Sequence, residues 1–265
     1  PGGDGLCADE GRIADAIDDR TALVAISHVL FKSAFVLDVA PIADKCRKVG
    51  ALLVLDAYQS VGTLPVSVDA LGVDALVGGV LKWLCGGPGG AFLYVRPEWR
   101  RRLAPALTGW MAHPAPFDFE PPPMRLRDDS FRFLLGTPAI PALYAAREGP
   151  RIIAAAGIDA IREKSLRQTA RLIALAEERG LCSATPLDPA RRGGTAAVDF
   201  ANAREVAREL NARDVVVDYR PGVGIRLSPH FYTPDEELSR AFAAIDEIRE
   251  TGAWRRWVER PSLVT

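Results

Sequence analysis

The sequence predicts an α/β fold, with a mostly parallel sheet that carries helices on both faces and a smaller α+β unit after it. In the first half of the chain, short apolar runs of strand length alternate with segments of helical periodicity, which is the pattern of parallel strands joined by helices. Strands and helices alternate again after a long helical stretch, and this second set predicts the smaller unit. We therefore divide the chain into a large unit over residues 1–138 and a small unit, including the connecting helix, over residues 139–265.

The elements of the large unit follow from local patterns. Residues 1–20 are rich in Gly and Asp and predict a surface connection. The elements after it are strands over residues 22–26, 51–55, 74–80 and 91–95, and a helix over residues 39–49 that Gly50 ends. Residues 97–123 are rich in Arg, Pro and aromatic side chains, which predicts a long irregular segment of the kind that often serves function.

The small unit begins with helices. A helical stretch starts after residue 138 and is interrupted at Gly149 and Pro150. A second helix over residues 160–179 shows strong 3.6-residue periodicity and ends before Gly180. The remaining predicted elements are strands over residues 195–200, 215–218 and 224–228 and helices over residues 203–212 and 234–250.

Composition and charge exclude several classes of protein. The 265 residues include 33 basic and 34 acidic side chains, without the basic excess that binding to a nucleic acid backbone requires. No run of about 18 uncharged apolar residues predicts a membrane span, and the first residues lack the features of a secretory signal, so we expect a soluble, cytoplasmic chain. Four cysteines without paired spacing and three distant histidines predict neither a disulfide framework nor a metal site.

Lys82 lies in an apolar setting, the run VGGVLKWLC at residues 77–85. An isolated lysine ordinarily packs its stem and extends its ammonium group to water. The glycines and apolar neighbours favour a second interpretation, because a desolvated amine has a depressed pKa and acts as a nucleophile toward the carbonyl group of a cofactor.

Asp56 closes the apolar strand over residues 51–55. One interpretation is the N-cap of a following helix, a common place for Asp. The other is a functional pair with Lys82, because the carboxyl ends of strands in open α/β sheets are where ligands bind. Pyridoxal phosphate requires such a pair: a lysine for the internal aldimine and an acid that keeps the ring nitrogen protonated.

Several segments, in a fixed order, resemble the class V aminotransferase group of fold-type I pyridoxal phosphate enzymes. They are SHV at residues 27–29, VLDAYQS at 54–60, PVSV at 65–68, LGVD at 71–74, Lys82 with GPGG at 87–90, and LYV at 93–95. The resemblance runs from about residue 20 to 250. It implies that Asp56 pairs with the pyridine nitrogen, that Gln59 faces the ring hydroxyl and that Lys82 forms the aldimine. It also implies a homodimer with the active site at the subunit interface.

Within that group, the chain resembles kynureninase-like members. Trp110, with His113 and FDF at residues 117–119 after it, is similar to the segment in which a tryptophan reaches the cofactor phosphate of the neighbouring subunit. Thr137 lies in a GTP run similar to the loop that offers a side chain across the interface. On this resemblance a kynureninase-like hydrolase is favoured. Kynureninases usually have Asn at the position of Thr137, His at that of Gln59 and Tyr at that of Leu81, so the chain departs from their pattern three times and the substrate stays open.

Amino transfer and a β-elimination of the cysteine desulfurase or lyase type are the alternatives within the group. Desulfurases carry Ser and His at the positions of Gly79 and Leu81, and they need a cysteine in the loop that here covers residues 218–224 and has none. Cys182 follows a helix and is interpreted as an ordinary thiol. A catalytically inert binding relative is the alternative of another class, and it has no need of the whole set of predicted site residues.

Arg226 lies in the apolar strand over residues 224–228. A planar guanidinium fork suits the α-carboxylate of an amino acid, and the resemblance places the carboxylate-binding arginine in this strand. The alternative is a structural salt bridge. Arg220 and Arg132 are interpreted as surface or interface ion pairs, and Arg220 also as a residue that gates the same pocket.

Compared with members of the group, the chain is expected to lack a segment at its N-terminal end. Members of the group have a further segment ahead of the position of Thr21, which supplies the aromatic residue stacked on the cofactor ring and much of the phosphate cup. We therefore expect an N-terminally incomplete large domain that holds pyridoxal phosphate weakly on its own.

Overall fold

The computed structural model describes residues 6–258, and its first sheet positions the candidate site. The strands are β1 (Leu23–Ser27), β2 (Leu52–Asp56), β3 (Ala75–Gly79) and β4 (Ala91–Val95), adjacent in that order. The first three are parallel, and β4 is antiparallel to β3, so the predicted α/β class with a mostly parallel sheet is confirmed. Ser27 lies beside Asp56, and Asp56 lies beside Val77. The carboxyl ends of β1 and β2 therefore meet at one edge of the sheet.

Helices surround this sheet. They are α1 (Glu10–Asp15), α2 (Ala40–Val49), α3 (Val68–Leu71) and α4 (Pro97–Arg102). The predicted helix over residues 39–49 is α2, and Gly50 ends it in the left-handed region, with φ of 79°. That conformation suits glycine, and the Gly50 N–H donates to the Cys46 carbonyl to close the last turn. Beyond α4, short 3₁₀ turns at Trp110–Ala112 and Ser130–Phe133 lie in an otherwise irregular segment.

The second half of the chain forms helices and a second sheet. The helices are α5 (Ile140–Ala146), α6 (Glu148–Ala156), α7 (Ile158–Glu177), α8 (Ala203–Ala212) and α9 (Asp235–Thr251). The strands are β5 (Cys182–Ser183), β6 (Ala196–Asp199), β7 (Asp218–Arg220) and β8 (Gly224–Leu227), arranged in the order β5-β6-β8-β7. All pairs in this sheet are antiparallel. The two halves therefore differ in strand direction.

The two larger hydrophobic clusters of residues 6–258 lie one against each sheet. The first lies between the parallel sheet and α2, where Ile42, Leu53 and Leu55 are completely buried. The second lies between the antiparallel sheet, α7, α8 and α9, and Phe242 and Ile225 are completely buried in it. Truncation of a buried phenylalanine to alanine costs about 3–5 kcal/mol, so each core is a substantial source of stability. The division at residue 138 stays a prediction.

The strand predicted over residues 215–218 has the wrong bounds, because the observed strand covers Asp218–Arg220. The side-chain amide of Asn211 donates to the Val217 carbonyl at 2.9 Å and accepts from the Val217 N–H at 3.3 Å. Because these backbone groups are already paired, Val217 does not join the sheet, and β7 begins only at Asp218. Val216 is 90% exposed, so its apolar side chain packs on nothing in the described chain.

Two further expectations differ from the structure. The lead contains a short helix, α1, whose N-cap Asp9 accepts from the Arg12 N–H at 3.0 Å. The helix predicted to break at Gly149 and Pro150 instead breaks at Arg147, where α5 ends and α6 begins. Pro150 lies in the first turn of α6, where its missing N–H costs no intrahelical hydrogen bond.

Candidate active site

The candidate site lies at the carboxyl edge of the parallel sheet. Asp56 is the last residue of β2, and one of its carboxylate oxygens accepts from the Tyr58 N–H at 2.8 Å. The Ala57 N–H donates to the Val77 carbonyl of β3, also at 2.8 Å. These bonds turn the chain sharply after the strand and fix the Asp56 carboxylate at the sheet edge.

The glycine before Lys82 lets an aromatic ring approach. A Cβ atom placed on Gly79 would lie only 2.3 Å from a ring atom of Tyr58, so a side chain at this position would displace that ring. Lys82 follows three residues later, and its Nζ lies 4.6 Å from the centre of the Tyr58 ring. The amine is therefore held by a cation–π contact while solvent still reaches it.

The surroundings lower the pKa of the Lys82 amine. Burial of the amine has the largest effect, and the positive charge of Arg226 adds to it. The carboxylates of Asp56 and Asp218 act in the opposite direction, and Arg220 lowers the pKa further. More of the amine is consequently neutral near pH 7 than for an ordinary lysine, which is the state that attacks a carbonyl group.

Arg226 reaches the same place from the second sheet. Its Nε and Nη2 donate to the two carboxylate oxygens of Asp218 at 2.8 and 2.7 Å. Asp218 and Arg226 lie directly opposite each other on β7 and β8. The salt bridge that the sequence left as an alternative for Arg226 is therefore present.

Phe31 connects the two sheets at this point. Its ring lies 4.0 Å from the guanidinium carbon of Arg226 and 5.5 Å from Lys82 Nζ. The carbonyl oxygen of Phe31 accepts from Arg226 Nη1, and the adjacent Lys32 donates to the Pro221 carbonyl at 3.1 Å. The run FKS at residues 31–33, after the SHV segment, is also similar to kynureninase-like members, and this resemblance was the available sequence signal for Phe31.

We name these residues the Lys82 cluster. Its members are Lys82, Tyr58, Asp56, Phe31, Arg226, Asp218 and Arg220. Three cationic and two anionic side chains leave an excess of one positive charge. An excess of this size suits a singly charged anion such as a carboxylate. A cavity of about 330 Å³ lies between α7, β8 and α9, and no member of the cluster lines it. We therefore place the candidate site at the Lys82 cluster and not in this cavity.

The other predicted site residues fall into two groups. Gln59 follows Tyr58 and is half-buried, and its amide makes no hydrogen bond within residues 6–258. Trp110 and Thr137 make no described contact with Lys82 and are both exposed. They lie near each other, because a Cβ atom on Gly136 would be 3.6 Å from Trp110 Nε1. The structure thus brings Lys82, Asp56 and Arg226 together, whereas Trp110 and Thr137 lie outside this group.

The residues without an assigned role also have definite places. Arg220 forms an ion pair with Asp218 at 3.1 Å, as predicted. Arg132 is only 6% exposed and has no ion pair in the described part of the chain, so the surface pair is wrong, and an ion pair across an interface stays a prediction. His113 is buried, with Nε2 at 3.4 Å from a Glu120 carboxylate oxygen. Cys182 is exposed on β5.

His28, which follows β1, gives the fold a pH dependence. It is 5% exposed, its Nδ1 has no hydrogen-bond partner among the described residues, and burial lowers its pKa to about 4. Below about pH 6.5 the unfolded chain binds this proton and the folded chain does not, so stability falls as the pH decreases toward 4. We expect the free energy of unfolding to fall by about 2 kcal/mol from this group between pH 7 and pH 5. Denaturant titrations of the native protein and His28→Leu measure it, and equal pH slopes would contradict it.

Comparison with known proteins identifies the family. Residues 4–226 match the sequence model described as Aminotransferase class-V. The chain belongs to the aminotransferase class-V family. Pyridoxal phosphate is the cofactor of this family, and the predicted family and cofactor are confirmed.

The relatives include enzymes of more than one reaction. The chain is 34% identical to a kynureninase of Burkholderia mallei (strain SAVP1) over 262 residues, which cover 94% of this chain and 61% of that protein. It is 37% identical to the "Uncharacterized aminotransferase YcbU" of Bacillus subtilis (strain 168) over 235 residues, which cover 88% of this chain and 60% of that protein. The chain therefore spans about three fifths of the length of these curated relatives.

Solved structures show the same fold. A cysteine desulfurase of Thermococcus onnurineus NA1 superposes with a TM-score of 0.84 at 23% identity, over 95% of this chain and 65% of that one. A mutant of C-DES with glycine covalently linked to its PLP cofactor superposes with a TM-score of 0.78 at 22% identity, over 90% of this chain and 64% of that one. Both confirm the fold class. Within residues 6–258, no helix combines the length and apolar character needed to cross a membrane.

Proposed function

We propose that this chain is part of a pyridoxal phosphate-dependent enzyme that acts on an α-amino acid by hydrolysis of the kynureninase kind. The observation that carries the proposal is the Lys82 cluster, in which an amine of lowered pKa, a strand-end carboxylate and a guanidinium fork lie together. A protein that only binds a partner has no need of this combination. The kynureninase relative, at 34% identity, supports the reaction type.

The side chains present fit pyridoxal phosphate. Lys82 offers an amine for the carbonyl group of the cofactor, and Asp56 offers a carboxylate for the protonated ring nitrogen. Gln59 has an amide without a hydrogen-bond partner in the described chain, which is available to the ring hydroxyl. When bound, the cofactor supplies an electron sink for charge that develops at the α-carbon of the substrate.

Arg226 and Lys82 have separate roles toward the substrate. The guanidinium of Arg226 binds the α-carboxylate, because a planar fork pairs with a carboxylate through two parallel hydrogen bonds. The Nζ of Lys82 accepts the proton from the α-carbon as a general base. The pKa of Lys82 is lowered toward neutral pH, and a general base works best when its pKa lies near the working pH.

Trp110 and Thr137 support a homodimer whose active sites lie at the interface. Both are exposed, and neither contacts the Lys82 cluster of its own chain within the described residues. Their segment also exposes large apolar side chains, a feature of interaction surfaces: Leu107, Phe117, Phe119 and Leu135. In a dimer, the two residues complete the cofactor site of the other copy.

Amino transfer is the second candidate reaction. The relative described as an uncharacterized aminotransferase is 37% identical, slightly more than the kynureninase. Gln59, Leu81 and Thr137 also stand where kynureninases usually have other residues. Both reactions require the same amine, acid and carboxylate-binding residues, so the Lys82 cluster serves either.

A substrate panel distinguishes the reactions. The holoprotein is incubated with kynurenine, with cysteine, and with amino acids paired with keto acids, while anthranilate, sulfide and new amino acids are measured. We expect anthranilate from kynurenine, and the exchange of the surface residue Lys48 for alanine provides a control that keeps this activity. New amino acids without anthranilate would replace hydrolysis by amino transfer, and no product from any pair would contradict an enzymatic role.

A further inference from the structure

Asp218 lies at the centre of the charged part of the Lys82 cluster. It pairs with Arg226 across β7 and β8, and its Oδ2 also lies 3.1 Å from Arg220 Nη2. The Arg226 side chain is 11% exposed and that of Asp218 is 30% exposed. A guanidinium so little exposed needs a compensating charge, and Asp218 supplies it.

The hydrogen bonds of Arg226 leave two of its N–H groups without an acceptor among the described residues. A guanidinium has five N–H groups: one on Nε and two on each terminal nitrogen. Asp218 accepts from Nε and Nη2, and the Phe31 carbonyl accepts from Nη1. One N–H on each terminal nitrogen therefore has no acceptor within residues 6–258. The two terminal nitrogens are the pair that a second carboxylate meets end-on, with two parallel hydrogen bonds.

Phe31 limits the remaining freedom of the guanidinium. Its ring centre lies 4.0 Å from the guanidinium carbon of Arg226, which is stacking distance. Asp218 thus fixes the side edge of the group, the Phe31 ring covers one face, and the Phe31 carbonyl holds one terminal nitrogen. A ligand carboxylate meets a fork that is already in place and loses less entropy on binding.

We propose that Asp218 is a positioning residue that holds Arg226 side-on and so presents its terminal edge to the α-carboxylate of the substrate. This inference rests on the proposed function, since it assigns that carboxylate to Arg226. In this role Asp218 strengthens the binding of an anionic ligand, although its own negative charge acts against that binding. A carboxylate at this place repels an anionic ligand, so charge alone predicts that its removal strengthens binding. Positioning predicts that its removal weakens binding.

The test compares ligands with and without a carboxylate. The holoprotein is titrated with L-kynurenine and with kynuramine, which lacks the carboxylate, and the absorbance change of the bound cofactor gives the two dissociation constants. For Asp218→Asn we expect the preference for L-kynurenine to fall about tenfold to hundredfold, as for the loss of hydrogen bonds to a charged group. Asp218→Glu, which keeps the charge, should restore part of the preference.

Asp246→Asn is the matched control. Asp246 pairs with Arg179 at 2.8 Å and is 32% exposed, close to the exposure of Asp218, but it lies on α9 outside the Lys82 cluster. This variant should leave the preference unchanged. An Asp218→Asn protein that binds L-kynurenine as tightly as the native protein, or more tightly, would overturn the inference.

A second measurement does not depend on the substrate. The Nε–H of Arg226 should give a slowly exchanging signal in nitrogen-15 NMR spectra of the native protein and of Asp246→Asn, and that signal should be lost in Asp218→Asn. If the native protein responds to neither ligand, the proposed function fails. The Nε–H signal then still decides whether Asp218 holds Arg226, and its persistence in Asp218→Asn would show that it does not.

Discussion

Replacement of Lys82 by alanine is expected to abolish the visible absorbance of the bound cofactor and to reduce turnover by about 10⁴-fold or more, as for the loss of a nucleophile that also acts as base. Lys82 is the lysine of the cluster, and its amine, held 4.6 Å from the Tyr58 ring centre, is proposed to bind the cofactor covalently. Absorbance spectra of the purified variant, with single-turnover assays, measure both effects. An unchanged absorbance band would show that another group holds the cofactor.

A mixing experiment provides the control for this variant. If Trp110 completes the site of the other copy, a hybrid of a Lys82→Ala chain and a Trp110→Ala chain has one site with both substitutions and one native site. Equal mixing should therefore restore about a quarter of the native activity, because about half of the dimers are hybrids. No recovery in hybrids shown to form would mean that Trp110 serves the site of its own chain and not that of the other copy.

Replacement of Asp56 by asparagine is expected to leave the fold intact and to reduce kcat by about 10²-fold or more, a typical effect for the loss of an acid–base group. Asparagine keeps an oxygen that accepts from the Tyr58 N–H, so the turn after β2 persists. It lacks the negative charge that keeps the ring nitrogen of the cofactor protonated. Steady-state kinetics and thermal unfolding measure the two expectations.

Asp44→Asn is the comparison for this variant. Asp44 is an exposed carboxylate on α2 that pairs with Arg47 at 2.7 Å, away from the strand end. Its loss should change neither kcat nor the unfolding temperature appreciably, since exposed ion pairs contribute about 0–1 kcal/mol. Equal kinetics for Asp56→Asn and Asp44→Asn would mean that Asp56 serves only to cap the turn.

The sequence was sufficient to predict the edge of the sheet that carries Asp56 and Lys82. Apolar runs of strand length mark β1 to β4 within a few residues, and parallel strands necessarily place their carboxyl ends together. These signals are local, because a strand covered by helices shows its burial in its own composition. The same holds for α2, whose periodicity and terminal Gly50 are both within the segment.

The partners of Arg226 could not be predicted in this way. Its pairing with Asp218 depends on the register of β7 and β8, and β7 begins only after Val217, whose backbone groups bond the Asn211 side chain. The contact with Phe31 joins residues 195 positions apart in the chain. Such contacts arise from the packing of two units against each other, and no local pattern encodes them.

Gly149 lets α6 pack directly against the main chain that follows Lys82. A Cβ atom on this residue would lie 2.1 Å from the Leu84 carbonyl oxygen and 2.4 Å from the Cys85 carbonyl. Helix α6 therefore touches the main chain of the segment after Lys82, and the side chains at positions 84 and 85 do not make this contact. Even one methyl group at position 149 would displace this segment. The path of the main chain after Lys82 therefore depends on a residue 67 positions away, because that residue has no side chain.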